Sequence, residues 1–179
     1  MTRPLPGDYG ARRSAYNLRV MSFLRFLMLL SLVVWVGGVI FLSFAEAPTA
    51  FSVLPSRHLA GTVVGRSLTI LHWMGLISGI VYLASSLAYN QIARGTPQAL
   101  AARHVLIGLM LVLTAVSQFG ITPRMAALRT SFVEIDQVPP DDPGRVEFNK
   151  LHQWSERMEG GVLLLGLVVV YLTARPWGG

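Results

Sequence analysis

Residues 26–45 read FLMLLSLVVWVGGVIFLSFA, twenty consecutive positions without a charge. As a helix, a run of that length crosses the hydrocarbon core of a bilayer, which needs about 20 mostly apolar residues. Three more segments have the same character. Residues 67–92 lie between Arg66 and Arg94 and carry one imidazole, His72. Residues 104–121 lie between Arg103 and Arg124, and residues 160–174 are uncharged. Only 13% of the chain is charged and 53% is hydrophobic, against about 25% charged in soluble domains. No stretch alternates with period two, which argues against a β-barrel. In lipid a helix satisfies its own backbone. The expected fold is therefore all-α and integral to the membrane. It is an antiparallel bundle of four transmembrane helices at about 26–45, 67–92, 100–121 and 146–174. These form one domain, residues 25–176, behind a basic tail, residues 1–24.

The first span ends in Ala45-Glu46-Ala47, which resembles a signal-peptidase site. Its apolar run is longer than the usual 7–15 residues of a signal peptide, and Pro48 would follow the cut directly. It is read as an uncleaved helix. Counting arginines and lysines by side gives eight with the termini and seven with the first and third loops. Acidic residues dilute the third loop, whereas Arg3, Arg12, Arg13, Arg19 and Arg25 stand close before the first helix, which usually dominates. Both termini are expected in the cytoplasm of a bacterium, with the protein multi-pass in the inner membrane.

Loop one, EAPTAFSVLPSRHLAGTVVGR, mixes apolar residues with Pro48, Pro55, Gly61 and Gly65. It is expected to form short interfacial helices. Loop two offers Thr96 as an N-cap with Pro97 at the first helical position. Loop three, EIDQVPPDDPGR, breaks helix. No internal repeat is visible. The absence of cysteine removes disulfides, thiolate metal sites and thiol nucleophiles. The net charge of +6 sits at span ends rather than in a patch interleaved with aromatics, so nucleic acid is not an expected partner. Trp73, Trp154, Tyr171 and Trp177 read as interface anchors.

Four antiparallel spans would gather polar residues at one leaflet. Glu46 would end helix one there, and His72 would lie about one and a half turns into helix two. Arg124 would end helix three, while His152, Glu156 and Glu159 would share the leading face of helix four. An ionisable group within a span usually faces the interior or a cavity. Three chemistries suit this set. His72 and His152 could hold a divalent metal with carboxylates, although no HExxH or Glu-x-x-His pair is present. The same two histidines could clamp a haem b, with Gly37, Gly38, Gly75 and Gly79 giving it room or simply packing helices closely. Or the cluster forms a polar pocket, with Arg124 as an anion clamp and His72 as a proton relay. There is no nucleophile–base pair, phosphate loop or dinucleotide fingerprint.

The stretches EAPTAFSVLPSRHLAGTVVGR, TPRMAALR and LHQWSERMEGGVLLLGL together resemble the bacterial branch of the transmembrane protein 205-like family. The resemblance extends over about residues 27–172. It implies a four-helix membrane domain of unknown function and puts weight on Pro123, Arg124 and His152, while Glu156 and Glu159 fall outside the family pattern. The leading expectation is a non-enzymatic membrane protein with a ligand-binding site made by His72, Arg124 and His152, then Glu46 and Glu156. A haem- or metal-carrying redox protein is the second. The third is an accessory subunit of a larger membrane complex or a homo-oligomer, with the lipid bilayer as common surroundings.

Overall fold

The structure, a computed structural model, describes residues 6–96, 101–132 and 137–174, with side chains from residue 16 onward. Among the described residues there is helix and no strand. Helix α1 runs Pro6–Phe41, α2 Ala47–Val53, α3 Arg57–Arg94, α4 Ala102–Val116, α5 Thr122–Ser131 and α6 Pro143–Ala174. A π turn, Leu42–Glu46, joins α1 to α2, and a second, Ser117–Ile121, joins α4 to α5. The six helices thus form four rods, each long and apolar enough to cross a membrane. Each rod has two neighbours: α1 packs chiefly on α3 and α4 chiefly on α6, while α3 also meets α4 and α1 meets α6.

The two π turns have one local cause. Pro48 and Pro123 follow them at the second position of α2 and α5. Proline lacks the N–H for the bond to the carbonyl four residues earlier, and its ring collides with that carbonyl. Widening the preceding turn relieves both problems. The Ala47 N–H then reaches the Leu42 carbonyl and the Thr122 N–H reaches that of Ser117, five residues back in each case. SFAEAP and QFGITP share a Phe-x-x-x-Pro spacing at these bends, a local likeness between rods one and three.

Loop one differs from the expectation of several interfacial helices. It holds a single short helix, α2, and from Arg57 onward it already belongs to α3. Pro55 and the Ser56 hydroxyl, which accepts the Leu59 N–H at 3.2 Å, set that start. Gly61 and Gly65 lie inside α3 rather than interrupting it. With 38 residues, α3 is about 57 Å long at about 1.5 Å per residue, nearly twice the ~30 Å hydrocarbon core. Its first turns therefore have length to spare beyond a bilayer. Gly95, with φ of +71°, ends it in the left-handed conformation. Thr96 is not the cap of the next helix: α4 begins at Ala102 with Ala101 before it, and Pro97 lies outside the described residues. The basic segment expected as a tail is helical from Pro6, which stands at the first helical position. Asp142 caps α6 by accepting the N–H groups of Gly144 and Arg145 at 2.8 and 3.1 Å.

Much of the outer surface is apolar, unlike that of a water-soluble domain, and several polar residues lie inside. Phe26, Val33, Phe41, Ile70, Ile77, Val112 and Leu164 face outward. His72, Ser78, Ser85, Ser86, Asn90, His104, Thr114, Ser117 and Gln118 are inside. An apolar exterior on this scale needs an apolar solvent, and these rods point to a multi-pass membrane protein. At the core, Met28, Leu32, Trp35, Val39 and Leu42 follow one face of the first rod. Gly75 and Gly79 on α3 lie under the Trp35 indole, and a Cβ at Gly79 would stand 2.8 Å from Trp35 Cζ3 and 2.6 Å from Leu111. Gly79→Leu should therefore lower stability by about 1–3 kcal/mol through overpacking. Gly37→Leu, where nothing lies within 4 Å of the added atom, should stay within about 0.5 kcal/mol of wild type. Denaturant unfolding in detergent reads both.

Candidate functional site

His72, only 1% exposed on α3, joins three rods. Its Nε2–H donates to the Glu159 carboxylate of α6 at 2.6 Å, and its Nδ1 lies 2.9 Å from the side-chain oxygen of Gln118. Nδ1 pairs with the side-chain amide of Gln118, whose oxygen and nitrogen exchange places by a turn of the group. Gln118 belongs to the second π turn. The widened turn rotates the residues after it relative to a regular α-helix, a common device at functional sites.

Beside this clamp a cavity of 820 Å³ opens at one end of the helices. Its walls come from the first π turn, α2, the first turns of α3, α5 and the first half of α6. Leu42, Phe44, Phe51, Val64, Leu68 and Leu163 supply apolar surface, and Arg57, His58, Arg129, Arg145, His152, Glu156 and Glu159 supply charge and hydrogen bonding. Glu159 belongs to both structures, lining the cavity and holding His72.

The expected site residues are only partly brought together. His152 and Glu156 line the cavity, exposed, and pair with each other across one helical turn at 3.2 Å. His72 stands behind Glu159 rather than in the wall. Arg124 is exposed on α5 and Glu46 half-buried at the end of the first π turn, and neither lines the cavity. At the far end of α3 and α4 a separate polar group forms, with His104 bonded to Ser86 at 2.8 Å and Arg103 to Asn90 at 3.2 Å.

The residues that sequence reasoning passed over are Arg129, His58 and Gln118. The Arg129 guanidinium lies across the bare faces of Gly61 and Gly65, where added Cβ atoms would stand 3.2 and 2.8 Å from its terminal nitrogens. It sits 5.3 Å above the Phe148 ring, whose stack also includes His152 at 6.3 Å. Among the described residues it has no carboxylate or carbonyl partner. His58, in the same cavity wall, has its Nδ1 buried without a partner among those residues. The available signal was the four-residue spacing of Gly61 and Gly65, which on a helix makes one continuous bare strip. Glu159 was detectable as the last carboxylate before the uncharged run.

The residues present do not fit a haem held by His72 and His152. Both His72 nitrogens are engaged, Trp35 fills the space over Gly75 and Gly79, and Leu71 fills that over Gly38. No group of three or more His, Asp or Glu among the described residues is placed to hold a metal ion.

Four helical rods, each long and apolar enough to cross a membrane, suggest a multi-pass membrane protein. Residues 30–131, more than half the chain, match the domain of unknown function DUF4149. The chain belongs to that family. The matched part contains His72, Gln118, Gly61, Gly65 and Arg129, whereas α6 with Glu159 lies beyond it. No curated protein and no solved structure matches the chain.

Removing one partner of a buried ionisable pair leaves the other uncompensated, at a cost of about 3–5 kcal/mol. His72→Leu should show a loss of that size in denaturant unfolding, because Glu159 and Gln118 both lose their partner. The double change His72→Leu with Glu159→Leu should recover part of it. Additive losses would mean that the two side chains are not coupled.

Proposed function

We propose that the protein is a non-enzymatic, ligand-accepting membrane protein whose binding site is the cavity between the first π turn, α2, α3, α5 and α6. The observation that carries this reading is the composition of the wall. Apolar side chains and unneutralised polar ones share one concave surface of 820 Å³, within the ~300–1,000 Å³ usual for small-molecule sites. His152 and Glu156 stand at the mouth, and His72 holds Glu159 in place from behind. Arg124 and Glu46 are assigned to the surrounding headgroup zone.

The same proposal includes an antiparallel four-span bundle, residues 25–176, with the basic segment 1–24 before it. The pairs Ser86–His104 and His72–Gln118 support this, since partner numbers fall along α4 as they rise along α3. The arginines before the first span support cytoplasmic termini in a bacterial inner membrane, which puts the cavity at the non-cytoplasmic leaflet. The three motifs after helices one and three and at the start of helix four support kinship with the transmembrane protein 205-like family.

The chain has no cysteine, so single introduced thiols report cleanly. Asn149→Cys, in the cavity wall, should react with a membrane-impermeant maleimide in intact cells. Gln91→Cys, at the far end of α3, should react only after permeabilisation. The reverse pattern overturns the orientation. For ligand binding, native mass spectrometry of gently purified protein should show one small molecule per chain, lost in Leu68→Trp, which fills the cavity. A wild-type spectrum without bound mass sinks the ligand reading.

A further inference from the structure

We propose that the occupant of the cavity is a membrane lipid bearing a phosphate, and that Arg129 grips that phosphate; this rests on the cavity being a ligand site. A guanidinium offers five N–H donors in a planar fork that suits a phosphate held by two parallel bonds. A half-buried guanidinium is partly desolvated, and an acceptor within reach of its donors offsets that cost. Arg129 is so placed, laid over Gly61 and Gly65 and steadied on the face of Phe148. The two carboxylates of the wall do not neutralise it: Glu159 is bonded to His72 and Glu156 to His152. Arg57 and Arg145 lie in the same wall, and Arg145 also donates to the Val138 carbonyl. Among the described residues no acceptor faces Arg129, and an anion in the cavity would supply one.

The rest of the wall selects the kind of anion. Leu42, Phe44, Val64, Leu68 and Leu163 make an apolar surface beside the guanidinium. A free inorganic anion would leave that surface wet, whereas the glycerol and first acyl carbons of a lipid would cover it. Gly61 and Gly65 are part of the specificity, since any larger side chain there would displace the guanidinium from its bed.

The test uses the full chain in neutral detergent, with binding followed by native mass spectrometry and thermal shift. The probes are phosphatidic acid, diacylglycerol with the same acyl chains, and inorganic phosphate. Phosphatidic acid should bind one per chain, and diacylglycerol at least about tenfold more weakly. Millimolar inorganic phosphate should not displace the lipid. Arg129→Gln should weaken phosphatidic acid at least about tenfold and leave diacylglycerol unchanged. Arg129→Lys, which keeps the charge and loses the fork, should recover only part of the affinity and serves if the glutamine variant folds poorly. Unaltered phosphatidic acid binding in both variants overturns the proposal, as does displacement by inorganic phosphate, which would make this a free-anion site. Equal binding of both lipids in wild type defeats the phosphate clamp and leaves the cavity reading standing. Failure of every probe, with Leu68→Trp indistinguishable from wild type, defeats both.

Discussion

An imidazole buried among four helices with apolar outer faces needs partners for its ring nitrogens from within the protein, because water is excluded there. For His72 the partners come from two other rods, Gln118 on the third and Glu159 on the fourth. Three rods are thereby set to one depth and one rotation. Close packing alone would leave that register loosely determined, since apolar surfaces slide over one another without discrimination. Buried polar pairs specify what apolar contact leaves free.

The cavity follows from this register and from helix length. The second, third and fourth rods continue past their apolar runs at the end where π turns bend the first and third rods. The prolines responsible for those bends lie at the second positions of α2 and α5. By forcing wide turns just before them, they bring Ser43 and Phe44 into the cavity wall and Gln118 to His72. Glu159 then couples the clamp to the wall, so the polar contact that sets the helix register also places a carboxylate at the ligand surface.

The glycines divide into two working pairs on one helix. Gly75 and Gly79 admit an indole at the centre, and Gly61 and Gly65 admit a guanidinium at the end. Both are close approaches across a bare strip of α3. The first closes the core, and the second leaves Arg129 facing the cavity with its donors available. A wall whose guanidinium has no acceptor among the described residues, with its own carboxylates paired and apolar surface alongside, is suited to an amphiphilic anion.

Four uncharged or nearly uncharged runs between arginines were enough to determine an all-helical chain with four membrane-length helices, because in lipid the backbone has no other local solution. The polar face of helix four and the importance of His72 were also legible, since 3.6-residue periodicity and the cost of an intramembrane imidazole are properties of the chain itself. Which partner each polar group finds was not legible. His152, Glu156 and Glu159 lie on one face, yet only Glu159 reaches His72, while His152 and Glu156 pair with each other. Arg124 and Arg129 are equivalent in sequence as basic residues of one short helix. The tertiary structure turns one outward and lays the other over Gly61 and Gly65, because only there does the neighbouring helix offer a surface without side chains. Gly61 and Gly65 themselves read locally as breaks. Packing overrides that preference, since the turns of α3 that contain them are held by contacts made far away in the chain.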